Sequence, residues 1–143
     1  MSARAAKAYA NNDAHGGVLD QNPVEIIVLI FERLFDHLKL GKIALEKKDY
    51  GIDHFTKAND LIQKGLLACL DYEQGGEIAN NHAAIYEWSL REIIRARIDN
   101  DPTVIENVIN ILGTVCEGWL SLTQKEPVGY SKKYQAGLSA NVA

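Results

Sequence analysis

The chain has 143 residues, of which 47% are apolar and 24% charged, a composition typical of one globular domain that buries its own core. The formal net charge of -4 argues against nucleic acid as a partner, because binding to a phosphate backbone draws on clustered Lys and Arg. The longest apolar run, at 26–31, is far shorter than the ~20 residues of a membrane-spanning helix, and residues 1–17 lack the apolar stretch of a signal peptide, so we expect a cytosolic protein without membrane insertion.

The first predicted helix begins at Pro23 and runs to about Lys47. Asn22 suits the N-cap, Pro23 suits the first helical position, and Glu25 can close a capping box. Apolar and small residues then recur at alternating steps of four and three, which predicts one buried stripe. The stripe consists of Ile27, Phe31, Leu34, Leu38, Gly41 and Leu45.

The second predicted helix extends from Tyr50 to about Asp71, with Asp49 available near its start. Its stripe has the same spacing and consists of Phe55, Ala58, Ile62, Gly65 and Cys69. Because Ala58 and Gly65 are small, a neighbouring helix can approach closely. The two cysteines of the chain, Cys69 and Cys116, both lie in apolar helical patterns, so we expect packed thiols.

A Gly-Gly pair at 75–76 separates the second and third predicted helices. Both glycines can adopt the left-handed backbone conformation that ends a helix, so we expect the pair to reverse the chain within a short connection. The third helix then runs from about Glu77 to Ile98 and has two apolar stripes, which predict a broad buried face. The stripes are Ala79, Ala83, Tyr86, Leu90 and Ile93, and Ile78, His82 and Ile85.

The fourth predicted helix follows Asn100 and Asp101, begins at Pro102, and ends near Lys125 because Pro127 comes soon after. Its stripe consists of Ile105, Val108, Leu112, Val115, Trp119 and Leu122. Short connections force successive helices to lie antiparallel. The predicted fold class is therefore all-α, an antiparallel up-down four-helix bundle at 22–125, with room for a short extra helix in the flexible N-terminal segment 1–21 or the tail 126–143.

Patterns that carry enzyme chemistry are missing from the sequence. No histidine has a glutamate three residues before it, as a di-metal carboxylate bundle requires, and there is no His-x-x-x-His or Cys-x-x-Cys pair. His82 lies among apolar positions and suits a packed histidine better than a catalytic base. We therefore expect no enzyme, with no catalytic, cofactor-binding or metal-binding residues.

The first and fourth helices carry apolar residues outside their core stripes. These residues are Ile26, Val28, Leu29 and Ile30 on the first helix, and Val104, Ile109, Ile111, Cys116 and Leu120 on the fourth. A helix that is apolar on two sides is either buried on both, here by the ends of the chain, or meets a partner. Taken together, the set favours a groove for amphipathic helices. Replacing Ile30 with Asp separates the alternatives, because partner binding weakens if Ile30 lines a groove and the chain unfolds if it belongs to the core.

Several short segments carry a resemblance that covers residues 7–122. They are "KAYA" at 7–10, "NPVEII" at 22–27, "KANDLI" at 57–62, "LDYEQGGEIANN" at 70–81, "IYEW" at 85–88, "NDPTVIENV" at 100–108 and "EGW" at 117–119. In this order and spacing they resemble the FliS family of flagellar secretion chaperones. The sequence departs from the family pattern at Asn22, His82, Glu92 and Arg97, which bears on the partner and the groove rather than on the fold.

The resemblance implies a cytosolic helical bundle that binds the C-terminal helical segment of flagellin, prevents its premature polymerisation and keeps it competent for secretion. Other flagellar export or regulatory proteins are further candidate partners. In this family the N-terminal segment can lie over the client groove, and Tyr9 matches its tyrosine. The alternative is a self-assembling helical-bundle adaptor or structural protein without a flagellin client.

The predicted partner-binding residues combine the apolar surplus with the resemblance. They are Tyr9, Ile26, Ile30, Asn80, Asn81, Tyr86, Ile109 and Cys116. The amides of Asn80 and Asn81 can hydrogen-bond an incoming backbone, or alternatively cap or solvate the helix near the Gly-Gly turn. Tyr86 also fits a core position, and Tyr9 also fits a surface tyrosine in a flexible leader.

Overall fold

The computed structural model describes residues 23–123, which form helices joined by short connections. The elements are α1 (Pro23–Glu46), α2 (Ile52–Asp60), a π-helical segment (Leu61–Leu67) that continues α2 directly, α3 (Tyr72–Asp99) and α4 (Pro102–Thr123). Helix α1 packs against α2, the π segment and α4, while α3 packs against α4 and the π segment. The predicted all-α antiparallel four-helix bundle is confirmed.

Helix α1 begins at Pro23, as predicted, and ends at Glu46. Lys48 closes it with a φ of 59°, and the Asp49 N–H donates to the Ala44 carbonyl at 2.8 Å, which is the hydrogen-bond pattern of a Schellman motif. Asp49 therefore belongs to the end of α1. The N-cap of α2 is Gly51, with a φ of 61° and no side-chain cap, so the expectation that Asp49 starts the second helix is wrong. The predicted N-cap of α1, at position 22, lies outside the described range.

The second helix begins at Ile52, two residues later than predicted, and changes to π-helical geometry at Leu61. Its predicted stripe is buried throughout. A Cβ atom added at Gly65 would lie 3.0 Å from Ile30 Cγ2, so the absence of a side chain there permits the close approach of α1 that the sequence predicts.

The chain reverses between the second and third helices before the Gly-Gly pair rather than at it. Helix α3 already begins at Tyr72, because the Asp71 carboxylate accepts a hydrogen bond from the Gln74 N–H at 3.1 Å and caps the first turn. Gly75 belongs to this turn, and Gly76 leaves helical geometry with φ 52° and ψ -124°, a conformation that is open chiefly to glycine. The expectation that the pair ends the second helix is wrong, since Gly76 instead kinks α3.

The junction of α3 and α4 follows the prediction. Asn100, with a φ of 51°, ends α3, and the Asp101 N–H donates to the Ala96 carbonyl at 2.9 Å. The Asp101 carboxylate then accepts hydrogen bonds from the Thr103 N–H at 3.0 Å and the Thr103 hydroxyl at 2.6 Å, which caps α4. The predicted end of this helix, near residue 125, lies beyond the part of the chain that the structure describes.

Most of the apolar side chains of the first and fourth helices that lie outside the predicted core stripes are buried in the core. Ile26 and Cys116 are each 1% exposed, Ile30 is 3% exposed and Ile109 is 6% exposed. The expectation that these four residues form an apolar surplus on the surface is wrong. Its physical reason is the packing of α1, which has the second helix on one side and α4 on another, so that both of its apolar sides are buried.

Candidate functional site

One end of the α3–α4 pair exposes two large apolar side chains, Ile78 at 66% and Leu122 at 47%. Ile78 lies one turn before His82 on α3, and Leu122 lies about one turn after Trp119 on α4. The rings of His82 and Trp119 are in contact, with centroids 5.9 Å apart. Because the helices are antiparallel, both steps lead to the same end of the bundle. We call Ile78, His82, Trp119 and Leu122 the end patch.

Tyr86 lies beneath the end patch and links it to the core. Its ring centroid is 6.0 Å from that of His82 and 6.3 Å from that of Phe31 on α1. The side chain is 1% exposed, and burial raises the pKa of its hydroxyl above the ordinary value. Tyr86 is therefore a neutral core residue, and a partner would touch it only after His82 and Trp119 had moved.

The half-buried rings of the end patch carry little charge. Burial lowers the pKa of His82, so its imidazole is neutral near pH 7. The Trp119 indole lies close enough to the Tyr86 hydroxyl to lower the pKa of the phenol slightly. Its buried Nε1 nevertheless makes no hydrogen bond of good geometry with any residue at 23–123. The patch thus presents apolar and aromatic surface with few polar groups, which suits the apolar face of an amphipathic helix.

Asn80 and Asn81 lie between Ile78 and His82 on α3, and both are exposed. With about 3.6 residues per helical turn, Asn81 lies beside the end patch, whereas Asn80 faces the opposite side of α3. Each amide offers two donors and one acceptor to an incoming backbone. The first turn of α3 is capped by Asp71 rather than by either asparagine, so that the capping role considered for them belongs to another residue.

The remaining sequence-predicted site residues divide by burial. Ile26, Ile30, Ile109 and Cys116 lie in the interior, and Tyr9 lies outside the described residues. The structure does not bring these four side chains together with the asparagine pair on one accessible surface.

The two cysteines are buried free thiols, and burial raises the pKa of Cys69 and of Cys116 to about 12. Both lie near enough to the Tyr86 hydroxyl to raise its pKa further. The prediction of packed thiols is confirmed.

Sequence reasoning missed Ile78 and Leu122 as surface residues because both continue apolar stripes. Helical spacing shows which side chains share a face, but it does not show where the packing partner of that face ends. Their positions, near the kink in α3 and in the last turn of α4, are the signal that could have identified them.

A cleft of about 570 Å³, with both polar and apolar lining, lies where α1 ends and α2 begins. It is lined by Leu40, Ile43, Ala44, Lys47, Asp49, Gly51, Ile52, Asp53 and His54. Among the residues at 23–123, no cluster of three or more His, Cys, Asp or Glu side chains is placed to hold a metal ion. No helix within that range has the length and apolar character needed to cross a membrane.

The fold and the site together define a small antiparallel helical bundle with an exposed apolar patch at one end. Residues 5–126 match the family model described as flagellar protein FliS, and the chain belongs to this family. It is 32% identical over 126 residues to the flagellar secretion chaperone FliS of Salmonella typhimurium, covering 87% of this chain and 93% of that protein. It is 28% identical over 125 residues to the FliS chaperone of Campylobacter jejuni, covering 87% and 94%, and 31% identical over 119 residues to the FliSB chaperone of Pseudomonas aeruginosa, covering 81% and 93%. The predicted family is confirmed.

Proposed function

We propose that this chain is a cytosolic flagellar secretion chaperone that binds the C-terminal helical segment of flagellin, prevents its premature polymerisation and keeps it competent for export. The observation that carries the proposal is the family match over residues 5–126, together with relatives that are named flagellar secretion chaperones. The protein acts by binding and not by catalysis. Other flagellar export or regulatory proteins are further candidate partners.

The end patch is the surface on which we place the client helix. A helix that presents apolar residues at steps of three and four can bury Ile78 and Leu122 together, and each such anchor contributes about 1.5–3 kcal/mol when it is fully enclosed. The exposed amide of Asn81 lies beside this surface, where it can hydrogen-bond the client backbone. The amide of Asn80 faces the other side of α3, so only a client that extends around the helix would reach it. A client segment that orders as it docks loses part of this energy as conformational entropy, which keeps release feasible.

The interior residues Ile26, Ile30, Tyr86, Ile109 and Cys116 would join the interface only if the helices separated. After such a separation, the client would replace contacts that the helices of the bundle make with one another. We propose that Tyr9 belongs to a segment that covers the groove until the client arrives. This role rests on the family resemblance alone.

Calorimetry with a peptide of the flagellin C-terminal segment tests the proposal. We expect the unchanged chain to bind, Ile78→Asp and Leu122→Asp to weaken binding by about tenfold to a hundredfold each, and both variants to keep their helical content. Ile94→Asp is the matched control, since Ile94 is 52% exposed on α3 at a distance from the end patch.

Sedimentation of the same samples separates this function from the alternative. A one-to-one complex with the peptide supports the chaperone. A stable homo-oligomer that ignores the peptide supports the self-assembling adaptor. Equal binding by all three Asp variants would remove the end patch from the proposal, while leaving the client in place.

A further inference from the structure

Two histidines face each other across the contact between α1 and α2. The Nδ1 atoms of His37 and His54 are 3.3 Å apart, and the ring centroids are 5.6 Å apart. For a given distance between the two nitrogens, the ring centres are farthest apart when both nitrogens lie on the line that joins the centres. The centroid separation observed here is close to that largest value, which equals the nitrogen distance plus one imidazole radius at each end. The two Nδ1 atoms therefore lie almost on the line between the ring centres, so that each nitrogen points at the other.

This head-on arrangement is that of an N–H···N hydrogen bond and not of a metal site. Two imidazoles that bind one metal ion direct their nitrogens at a third point, and the bonds to the metal meet at an angle. Such convergence would bring the ring centres closer together at the same nitrogen separation. In the hydrogen bond, one ring carries its proton on Nδ1 and donates, and the other ring accepts.

We propose that His37 and His54 form a pH-sensitive latch that holds the start of α2 on α1, closed while a single proton lies between the two Nδ1 atoms and opened when both Nδ1 atoms are protonated. The neutral pair holds one such proton. A pair with one additional proton keeps the bond, because the charged ring donates to the neutral one. A second additional proton leaves two N–H groups facing each other, with no acceptor between them.

The surroundings of the latch oppose protonation of His37. Partial burial is the largest cause that lowers its pKa, followed by His54, and Lys57 on α2 and Arg33 on α1 act in the same direction. Among the residues at 23–123 that act on His37, the Asp36 carboxylate on α1 is the one that raises its pKa.

The lowered pKa gives the sign of the pH effect. The folded protein takes up the His37 proton at lower pH than the unfolded chain does, since the ordinary histidine value is 6.5. Stability that is present above this value is therefore lost as the pH falls below it, with a change of at most about tenfold in the unfolding constant per pH unit for each proton.

The latch lies next to Phe55 in the first turn of α2, which is fully buried against Gly41 of α1. The N-cap of α2, Gly51, provides no side-chain cap, and His54 lines the cleft together with Ile43 and Ile52. Opening of the latch would loosen the first turn of α2 and widen this cleft. The inference does not depend on the proposed function, because it concerns the chain without a client.

Nuclear magnetic resonance of the imidazole nitrogens tests the latch directly, on the full chain between about pH 8 and pH 5, a range that includes the ordinary pKa of histidine. At the upper end we expect one of His37 and His54 to carry its proton on Nδ1. His54→Gln removes the charge that a protonated His54 would place beside His37, so the pKa of His37 should shift upwards. The loss of stability on acidification, followed by urea unfolding, should then be smaller than in the unchanged chain.

His82→Gln is the control, because burial lowers the pKa of His82 as well and this residue has its own share in the pH dependence. We expect it to remove that share and to leave the titration of His37 unchanged. Two results would each overturn the latch: both His37 and His54 carrying the proton on Nε2 at the upper end of the range, or a His37 titration that is the same with and without His54.

Discussion

Replacing Ile30 with aspartate is expected to unfold the bundle. The Ile30 side chain is 3% exposed, and its Cγ2 lies 3.0 Å from the point where a Cβ of Gly65 would be. Loss of the buried aliphatic group forfeits about 1.5–3 kcal/mol. The carboxylate that replaces it has no partner and loses its hydration, which adds several kcal/mol even if the group takes up a proton. The sum is comparable to the ~5–15 kcal/mol that stabilises a small domain.

Circular dichroism and urea unfolding measure this effect against two reference variants. Ile30→Val keeps the site apolar and should cost only about 0.5–1.5 kcal/mol. Ile94→Asp introduces the same charge at a side chain that is 52% exposed, so its cost should stay within roughly 0.5 kcal/mol. An Ile30→Asp protein that kept its helical content and urea midpoint, and lost only peptide binding, would refute the reasoning and make Ile30 part of a groove.

Three further predictions concern packing, capping and thiol reactivity. In Gly41→Ala the new Cβ would lie 2.6 Å from two ring atoms of the buried Phe55, and the urea midpoint should fall by the equivalent of about 1–2 kcal/mol, since the helix preference of alanine offsets part of the overpacking. Hydrogen bonds from Thr103 hold the pKa of Asp101 below its ordinary 3.8. The stability that the Asp101 carboxylate contributes is therefore present above that value and is lost as the pH falls through the folded pKa. Asp101→Asn should melt like the unchanged chain at neutral pH and lose less stability in acid. The two buried thiols should be alkylated only after denaturant is added, and rapid labelling of the native chain in mass spectra would contradict their burial.

The starts of α1 and α4 could be predicted because their signals are local. At both ends the proline fixes its own φ in the first turn, and at α4 the Asp101 side chain reaches the backbone only two residues further on. The start of α3 has a local signal as well, since Asp71 and Gln74 have the spacing of a capping pair, but the two glycines that follow favour a break a few residues later. A glycine pair permits a break without deciding whether the break ends a helix or kinks it.

The π segment could not be predicted, because the sequence carries no local signal for it. Nothing in the residues from Leu61 to Leu67 differs from an ordinary amphipathic helix. Gly65 of this segment packs against Ile30 of α1, a contact between residues distant in sequence that helical spacing does not reveal. Spacing alone predicts that the stripe is buried, and it is, but it does not predict the change of helix type.

The candidate site shows a similar limit. The sequence correctly indicates that α1 and α4 are apolar on more than one side, but it does not reveal whether the second side meets another chain or another helix of the same chain. For Ile26 and Ile109 the answer is a helix of the same chain. Ile78 and Leu122 continue their stripes to one end of the bundle, and there both remain exposed.

The stability of the bundle affects client affinity differently for a client site on the end patch and for one on the interior residues. If the client binds the exposed Ile78 and Leu122, its affinity does not depend on how often the bundle opens. If it binds Ile26 and Ile30, only the opened fraction is competent, and an opening cost of about 3 kcal/mol raises the measured dissociation constant more than a hundredfold. Loosening the bundle with Gly41→Ala would then strengthen client binding. We expect calorimetry to show unchanged affinity for Gly41→Ala and weakened affinity for Ile78→Asp, and tighter binding by Gly41→Ala would instead assign the client to the interior.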